Sequence, residues 1–201
     1  MNETPNSGAR RGRRSLRHQI VKAAAVTFEH KGFKSTTIDD IATAAKVARR
    51  TIYQHFKSKL DILGAVVLEQ TRTLLVKLKQ DVAVADDFSD YAVDCVCYIV
   101  EHAPESEFFM LQRSPDLAID TVAIYFNSRE VVDEWAELFR EPYERALRKH
   151  QINPAIDLIR FMTWMGRITS HHLLYPLKNE TPAQVRENLQ LFFANALRYQ
   201  Q

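Results

Sequence analysis

The sequence has few of the residues that interrupt regular structure: five glycines and seven prolines in 201 residues. No stretch alternates apolar and polar residues at period two for long, so long helices are expected rather than sheets. No apolar run reaches the roughly 18 residues of a membrane span. The N-terminus is basic, but no apolar core follows it, so a secretory leader is not expected either. Cysteine is scarce. Cys95 and Cys97 stand two apart in one helical pattern, where their side chains diverge by about 200°. They suit small core positions in a reducing compartment, not a bridge or a shared metal. Catalytic signatures are missing too: there is no Gly-rich phosphate loop, no GxSxG and no HExxH. His171 and His172 are adjacent and diverge by about 100° on a helix, a poor metal pair. No enzyme activity, cofactor or metal is expected.

What is present is a normal core composition, 46% hydrophobic with 10% aromatic residues, and a split in charge. Residues 1–60 hold 13 Lys and Arg against 4 Asp and Glu, and residues 61–201 hold 14 against 21. A segment with net charge +9 joined to one with −7 suggests a part that meets a polyanion and a part that does not.

Along the chain, residues 1–14 read as a disordered basic arm. A first helix is expected from Ser15 to just before Gly32, with Ile20, Ala23, Ala24 and Phe28 as its apolar stripe. A short helix follows the Thr36-Thr37 cap, burying Ile38, Ile41, Ala42 and Ala45. A second short helix runs from about Ala48 to Phe56. Ser58 can cap a long fourth helix, with Leu60, Leu63, Val67, Leu74 and Leu78 on one side. Further helices are expected at about 87–102, 105–126 (interrupted near Pro115), 128–149, 154–175 and 182–199. Asn153-Pro154 and Thr181-Pro182 read as cap-then-proline starts, and Thr181 with Gln184 as a capping box. Pro142 should kink or divide its helix. The fold class is therefore all-α with about nine helices: a three-helix DNA-binding head over residues 15–60 and a helical body over 61–201.

Two short helices joined by a tight turn and braced by a preceding helix are a helix-turn-helix, here about residues 37–56, whose second helix enters the major groove. In that helix Ile52 and Phe56 lie four apart and can face the core. Arg49, Arg50, Thr51, Tyr53, Gln54 and His55 are left outward. Arginine can bond guanine O6 and N7 together, while hydroxyl and imidazole groups suit phosphates. Arg10, Arg11, Arg13, Arg14 and Arg17 could reach a neighbouring minor groove.

The stretch Gly32-Phe33-Lys34-Ser35-Thr36-Thr37-Ile38-Asp39-Asp40-Ile41-Ala42, with Ala45-Lys46-Val47 and Thr51-Ile52-Tyr53-Gln54-His55-Phe56-Lys57-Ser58-Lys59, resembles the tetracycline-repressor (TetR) family. The resemblance covers residues 15–65. It implies phosphate contacts by Thr37, Tyr53, His55 and Lys59, and places Arg49, Arg50 and Thr51 nearest base edges. Lys46, also counted with the DNA-binding residues, stands where the family usually has glycine, so a turn needing positive φ would be strained there. Ala48 replaces the usual Ser or Thr and removes a helix cap worth about 1 kcal/mol.

The resemblance also implies a homodimer through the last two helices and an effector pocket in the body. The pocket candidates are Phe108, Phe109, Met110, Tyr125, Phe126, Trp135, Phe139, Phe161, Trp164 and Met165, although such residues equally suit plain core packing. Arg160 or Arg167, if turned inward, would suit a carboxylate. The functional expectation is a cytoplasmic, nucleoid-associated bacterial transcription regulator with no membrane partner. It would be a repressor bound to a palindromic operator on double-stranded DNA and released by a small apolar or aromatic effector. The alternative is an architectural or division-linked DNA-binding protein with the same head and no small-molecule control. A body without a cavity of about 300 Å³ would favour that alternative.

Overall fold

The computed structural model describes residues 7–105 and 118–198. Among these residues the chain forms nine helices and no strands: α1 Ser7–Lys31, α2 Ile38–Ala44, α3 Arg49–His55, α4 Lys59–Asp81, α5 Phe88–His102, α6 Ala118–Asn127, α7 Arg129–Arg148, α8 Leu158–Leu174 and α9. The last begins as Pro182–Asn188, passes through a π-helical turn, Leu189–Ala194, and ends with Asn195–Leu197.

Local chemistry fixes most boundaries. Thr37 caps α2 in a reciprocal box with Asp40, and Thr181 does the same for α9 with Gln184. Ser58 accepts from the Asp61 N–H at the start of α4, and Asp87 from the Ser89 and Asp90 N–H groups at the start of α5. Gly32, at φ 76°, ends α1 in the left-handed conformation that a side chain would resist.

Three expectations need correction. Helix α1 starts at Ser7, not Ser15, so residues 7–14 are helical rather than part of a disordered arm. Arginine and alanine there are good helix formers, and Gly8 and Gly12 are too isolated to stop the helix. Helix α8 starts after Asp157, whose carboxylate accepts from the Arg160 N–H at 2.7 Å. Asn153 instead holds a preceding turn, accepting from the Ala155 N–H at 3.0 Å. Pro142 does not divide α7, which runs unbroken from Arg129 to Arg148 with the proline ring in the core. Burial of that ring offsets the one backbone bond it removes. The expected interruption near Pro115 and the candidates Phe108, Phe109 and Met110 lie outside the described residues.

The core has two centres joined by α4. Ile20, Phe28, Ile41, Ile52 and Phe56 of the head close over Ile62, Leu63 and Val66 at the start of α4. Leu74, Leu75 and Leu78, further along α4, belong to the body core with α5, α7, α8 and α9. Leu60, expected on the buried stripe, is 53% exposed, because the first turn of α4 projects beyond the head core. Arg72 of α4 bonds Glu134 of α7 at 2.6 Å. Val131 of α7 is fully buried in the head core, so head and body share apolar contacts as well as a helix. Tyr125 and Trp135 pack against both centres.

Candidate nucleic-acid interface and body cavity

The head builds its outer face from the turn between α2 and α3. Ala45 closes α2, and its carbonyl accepts from the Gln19 side chain of α1 at 2.8 Å, which ties the turn to the bracing helix. The Val47 N–H reaches back to the Ala42 carbonyl at 2.9 Å. That closure needs Lys46 at φ 52°, so lysine occupies the left-handed position suited to glycine. Ala48 stands at the N-cap of α3 with no side-chain cap bond. Ile52 and Phe56 are buried. Arg49, Arg50, Tyr53 and Gln54 are exposed, and Thr51 and His55 are half-buried.

The outward residues are not equally available. Arg49 donates to Asp39 of α2 at 2.6 Å and to the Tyr53 hydroxyl at 3.4 Å. Arg50 has no partner among the described residues. The Thr37 hydroxyl is occupied by the capping box, donating to Asp40 at 2.8 Å. The Lys31 ammonium, followed by the Thr37 N–H and hydroxyl, holds the Asp40 carboxyl down at about 2.

Lys59 is spent within the head. Its ammonium donates to the carbonyls of Phe33 at 2.6 Å, Thr36 at 2.8 Å and Lys34 at 3.3 Å. It also lies 4.5 Å from the centre of the Phe33 ring. These contacts clamp the α1–α2 turn onto the start of α4. Arg17, assigned to the arm by sequence, lies 4.8 Å from the Phe56 ring centre.

The body holds a small cavity among α5, α6, α7 and α8, about 150 Å³ in volume. Of the sequence candidates, Tyr125, Phe126, Trp135 and Met165 line it. Phe139 and Phe161 are fully buried outside its lining, stacked edge to face at 5.2 Å. Trp164 is 55% exposed and Arg167 lies 5.3 Å from its ring centre, both outside this cavity. Arg160 is exposed and donates to the Ala155 carbonyl at 2.8 Å. Among the described residues no charged side chain lines the cavity, so the carboxylate expected from an inward arginine has no partner there.

Sequence reasoning missed the rest of the lining, including Ile99, Val132, Thr163, Gly166 and Ser170. The small residue Gly166 in an otherwise bulky helix was the one available signal. The Thr163 and Thr169 hydroxyls donate to carbonyls of their own helix, at 2.8 Å each. The Ser170 hydroxyl has no partner among the described residues. A larger groove, about 500 Å³, lies between α8 and α9 and includes Trp164, Ile168, Phe192 and Leu197. Phe192 is 76% exposed there.

Among the described residues no helix is long and apolar enough to cross a membrane. Residues 20–66 match the family of bacterial regulatory proteins called the tetR family. Over 87 residues the chain is 33% identical to the HTH-type transcriptional activator FasR of Mycolicibacterium smegmatis, covering 41% of this chain and 40% of FasR. It is 29% identical over 96 residues to the uncharacterized HTH-type transcriptional regulator TtgW of Pseudomonas putida, covering 48% and 70%. The chain thus spans less than half of FasR's length in that match. The fold is similar to that of RolR in complex with resorcinol, with a TM-score of 0.66 at 15% identity over 94% of this chain and 91% of that one. Residues 20–66 of this chain thus match the domain that marks the tetR family of bacterial regulatory proteins, and the chain as a whole shares the fold seen in RolR.

Proposed function

We propose that the protein is a transcription regulator that grips a palindromic operator as a homodimer, with α3 in the major groove, and releases it when a small neutral molecule fills the body cavity. The observation that carries this reading is the dual role of Tyr125 and Trp135. Both line the cavity and both pack against the core of the reading head. A ligand that shifts either ring acts on α4 and the head without an intervening layer, and it releases DNA only if it favours the non-binding arrangement.

The cavity supports a narrow class of effector. A volume of about 150 Å³ accommodates one six-membered ring, as an apolar protein cavity of that size binds benzene. The uncharged lining disfavours an ion, and the Ser170 hydroxyl offers one polar contact. Resorcinol, the ligand in the RolR complex, is of this size and character. The same volume also favours the architectural alternative, because it falls below the roughly 300 Å³ of an ordinary small-molecule site.

A homodimer is supported by the outer groove. Trp164 and Phe192 are each more than half exposed in it, and one copy's apolar face suits its symmetry mate's. The reading places the protein in the bacterial cytoplasm with its operator. Thermal denaturation with phenol, resorcinol and benzyl alcohol tests the effector assignment. A saturable rise in Tm with release of bound duplex is expected. No rise with any neutral single-ring compound would leave the architectural reading in its place.

A further inference from the structure

Acidic groups at the start of α2 are shared unevenly. Asp40 is taken up by Lys31 and the capping box. Asp39 presents its carboxylate across the turn to the reading helix, where it accepts from Arg49 Nη1 at 2.6 Å. Nη2 of the same guanidinium reaches the Tyr53 hydroxyl, and its central carbon lies 5.7 Å from the Tyr53 ring centre. The two charged side chains are 57% and 60% exposed, and an ion pair so open to water contributes little to folding. Its effect falls instead on whatever approaches the face.

Phosphate oxygens occur at every step of a duplex, whereas the paired acceptors O6 and N7 of guanine occur only at particular bases. A freely swinging arginine finds a phosphate on any sequence. An arginine held through Nη1 by a carboxylate and steadied through Nη2 by a hydroxyl keeps its remaining N–H donors at a fixed place and gains only where a base edge meets them. The paired Asp39 and Arg49 carry no net charge together, so on random DNA they release no counterion.

We infer that Asp39 is a specificity-determining residue, which aims Arg49 at a base edge and withholds it from phosphates. The inference rests on the reading of α3 as the DNA-contacting helix and adds to it a role for an acidic residue on the preceding helix. Arg50, without a partner among the described residues, is left to grip the backbone.

The test uses the full chain as wild type, Asp39→Asn, Arg49→Ala and the double variant. The probes are a duplex selected by the wild type from a random-sequence pool and a scrambled duplex of equal length, titrated at two salt concentrations. Asp39→Asn should bind the scrambled duplex more tightly, with a salt slope steeper by about one. The selected duplex should gain less, so the ratio of the two affinities falls about tenfold. In the Arg49→Ala background the same change should leave the ratio within about twofold, because the residue being aimed is gone. Asp39→Ala should repeat the result, and far-UV circular dichroism checks that α2 persists in each variant. Equal gains on both duplexes, or a loss of ratio that survives in the Arg49→Ala background, would overturn the inference and leave plain charge repulsion. A wild type that selects no duplex would overturn the DNA-reading assignment itself and this inference with it.

Discussion

Gly166 and Phe126 meet so closely that a methyl group on Gly166 would lie 2.9 Å from the edge of the Phe126 ring. Both line the body cavity, one from α8 and the other from α6. Gly166→Ala should therefore push the Phe126 ring aside and reshape the cavity. Alanine favours the helix by about 1 kcal/mol over glycine, which offsets much of the cost of moving the ring. The expected result is a fold of near wild-type Tm that still binds duplex DNA but gains no Tm from phenol or resorcinol. A ligand-induced rise equal to that of the wild type would separate the cavity from the effector.

The clamp made by Lys59 carries a prediction opposite to that of a phosphate contact. Three carbonyls converge on one ammonium, a geometry that the planar guanidinium of arginine does not reproduce. Lys59→Ala and Lys59→Arg should both lower stability, by about 1–2 kcal/mol for the loss of charge-assisted bonds. Thermal denaturation separates the two roles. If Lys59→Arg keeps the wild-type Tm while Lys59→Ala only flattens the salt dependence of DNA binding, the lysine serves phosphate instead.

Lys46 sits at φ 52° in the turn that joins α2 to α3. A left-handed conformation costs an L-residue about 1–2 kcal/mol relative to glycine. Lys46→Gly should recover part of that, raising Tm by about 2–4 °C, with some of the gain lost to the greater freedom of glycine in the unfolded chain. A fall in Tm would show that the lysine side chain contributes more than its backbone costs.

Buried groups in α5 set an alkaline limit. Burial pushes the Cys95 thiol up to about 12, and burial, with a further contribution from Cys95, raises the Tyr91 phenol above its usual range. Both groups hold their protons more tightly in the folded state than in the unfolded one. Their contribution is complete below about pH 8.5, the ordinary thiol value, and is lost as pH rises toward the folded value. Tm should decline from pH 8.5 to 10.5, and less steeply in Cys95→Ala than in the wild type. Parallel declines in the two proteins would assign the effect to other groups.

Much of the architecture was legible because it is set by short-range chemistry. Thr37 with Asp40, Ser58, and Thr181 with Gln184 all cap the helices that their spacing predicts. The errors came where two local signals competed, as at Asn153-Pro154, which resembles a helix start but lies in a turn, with Asp157 as the true cap. Pro142 misled because its local penalty is offset by burial, which no local pattern reveals. The site was legible by residue type and less so by geometry. Arg49 reads as an outward cation, but its partner Asp39 lies ten residues away across a turn, beyond the reach of helical periodicity. Trp164 and Phe161 share a helix pattern with Met165, and only the packing of α7 and α9 decides which of them meets the cavity.

The central claim, a dimer that reads a two-fold symmetric operator, is tested most directly by selecting duplexes from a random pool with the wild type and with Phe192→Glu. Phe192 is the appropriate site for the added charge because it is exposed in the groove between α8 and α9, whereas Leu189 is buried in the core. The wild type should enrich a palindrome whose half-sites lie one or more helical turns apart and should bind it as a dimer. Phe192→Glu should be folded, monomeric at micromolar concentration by light scattering, and unable to enrich the same site. Recovery of the palindrome by a monomeric Phe192→Glu, or enrichment of no motif by the wild type, would contradict the account.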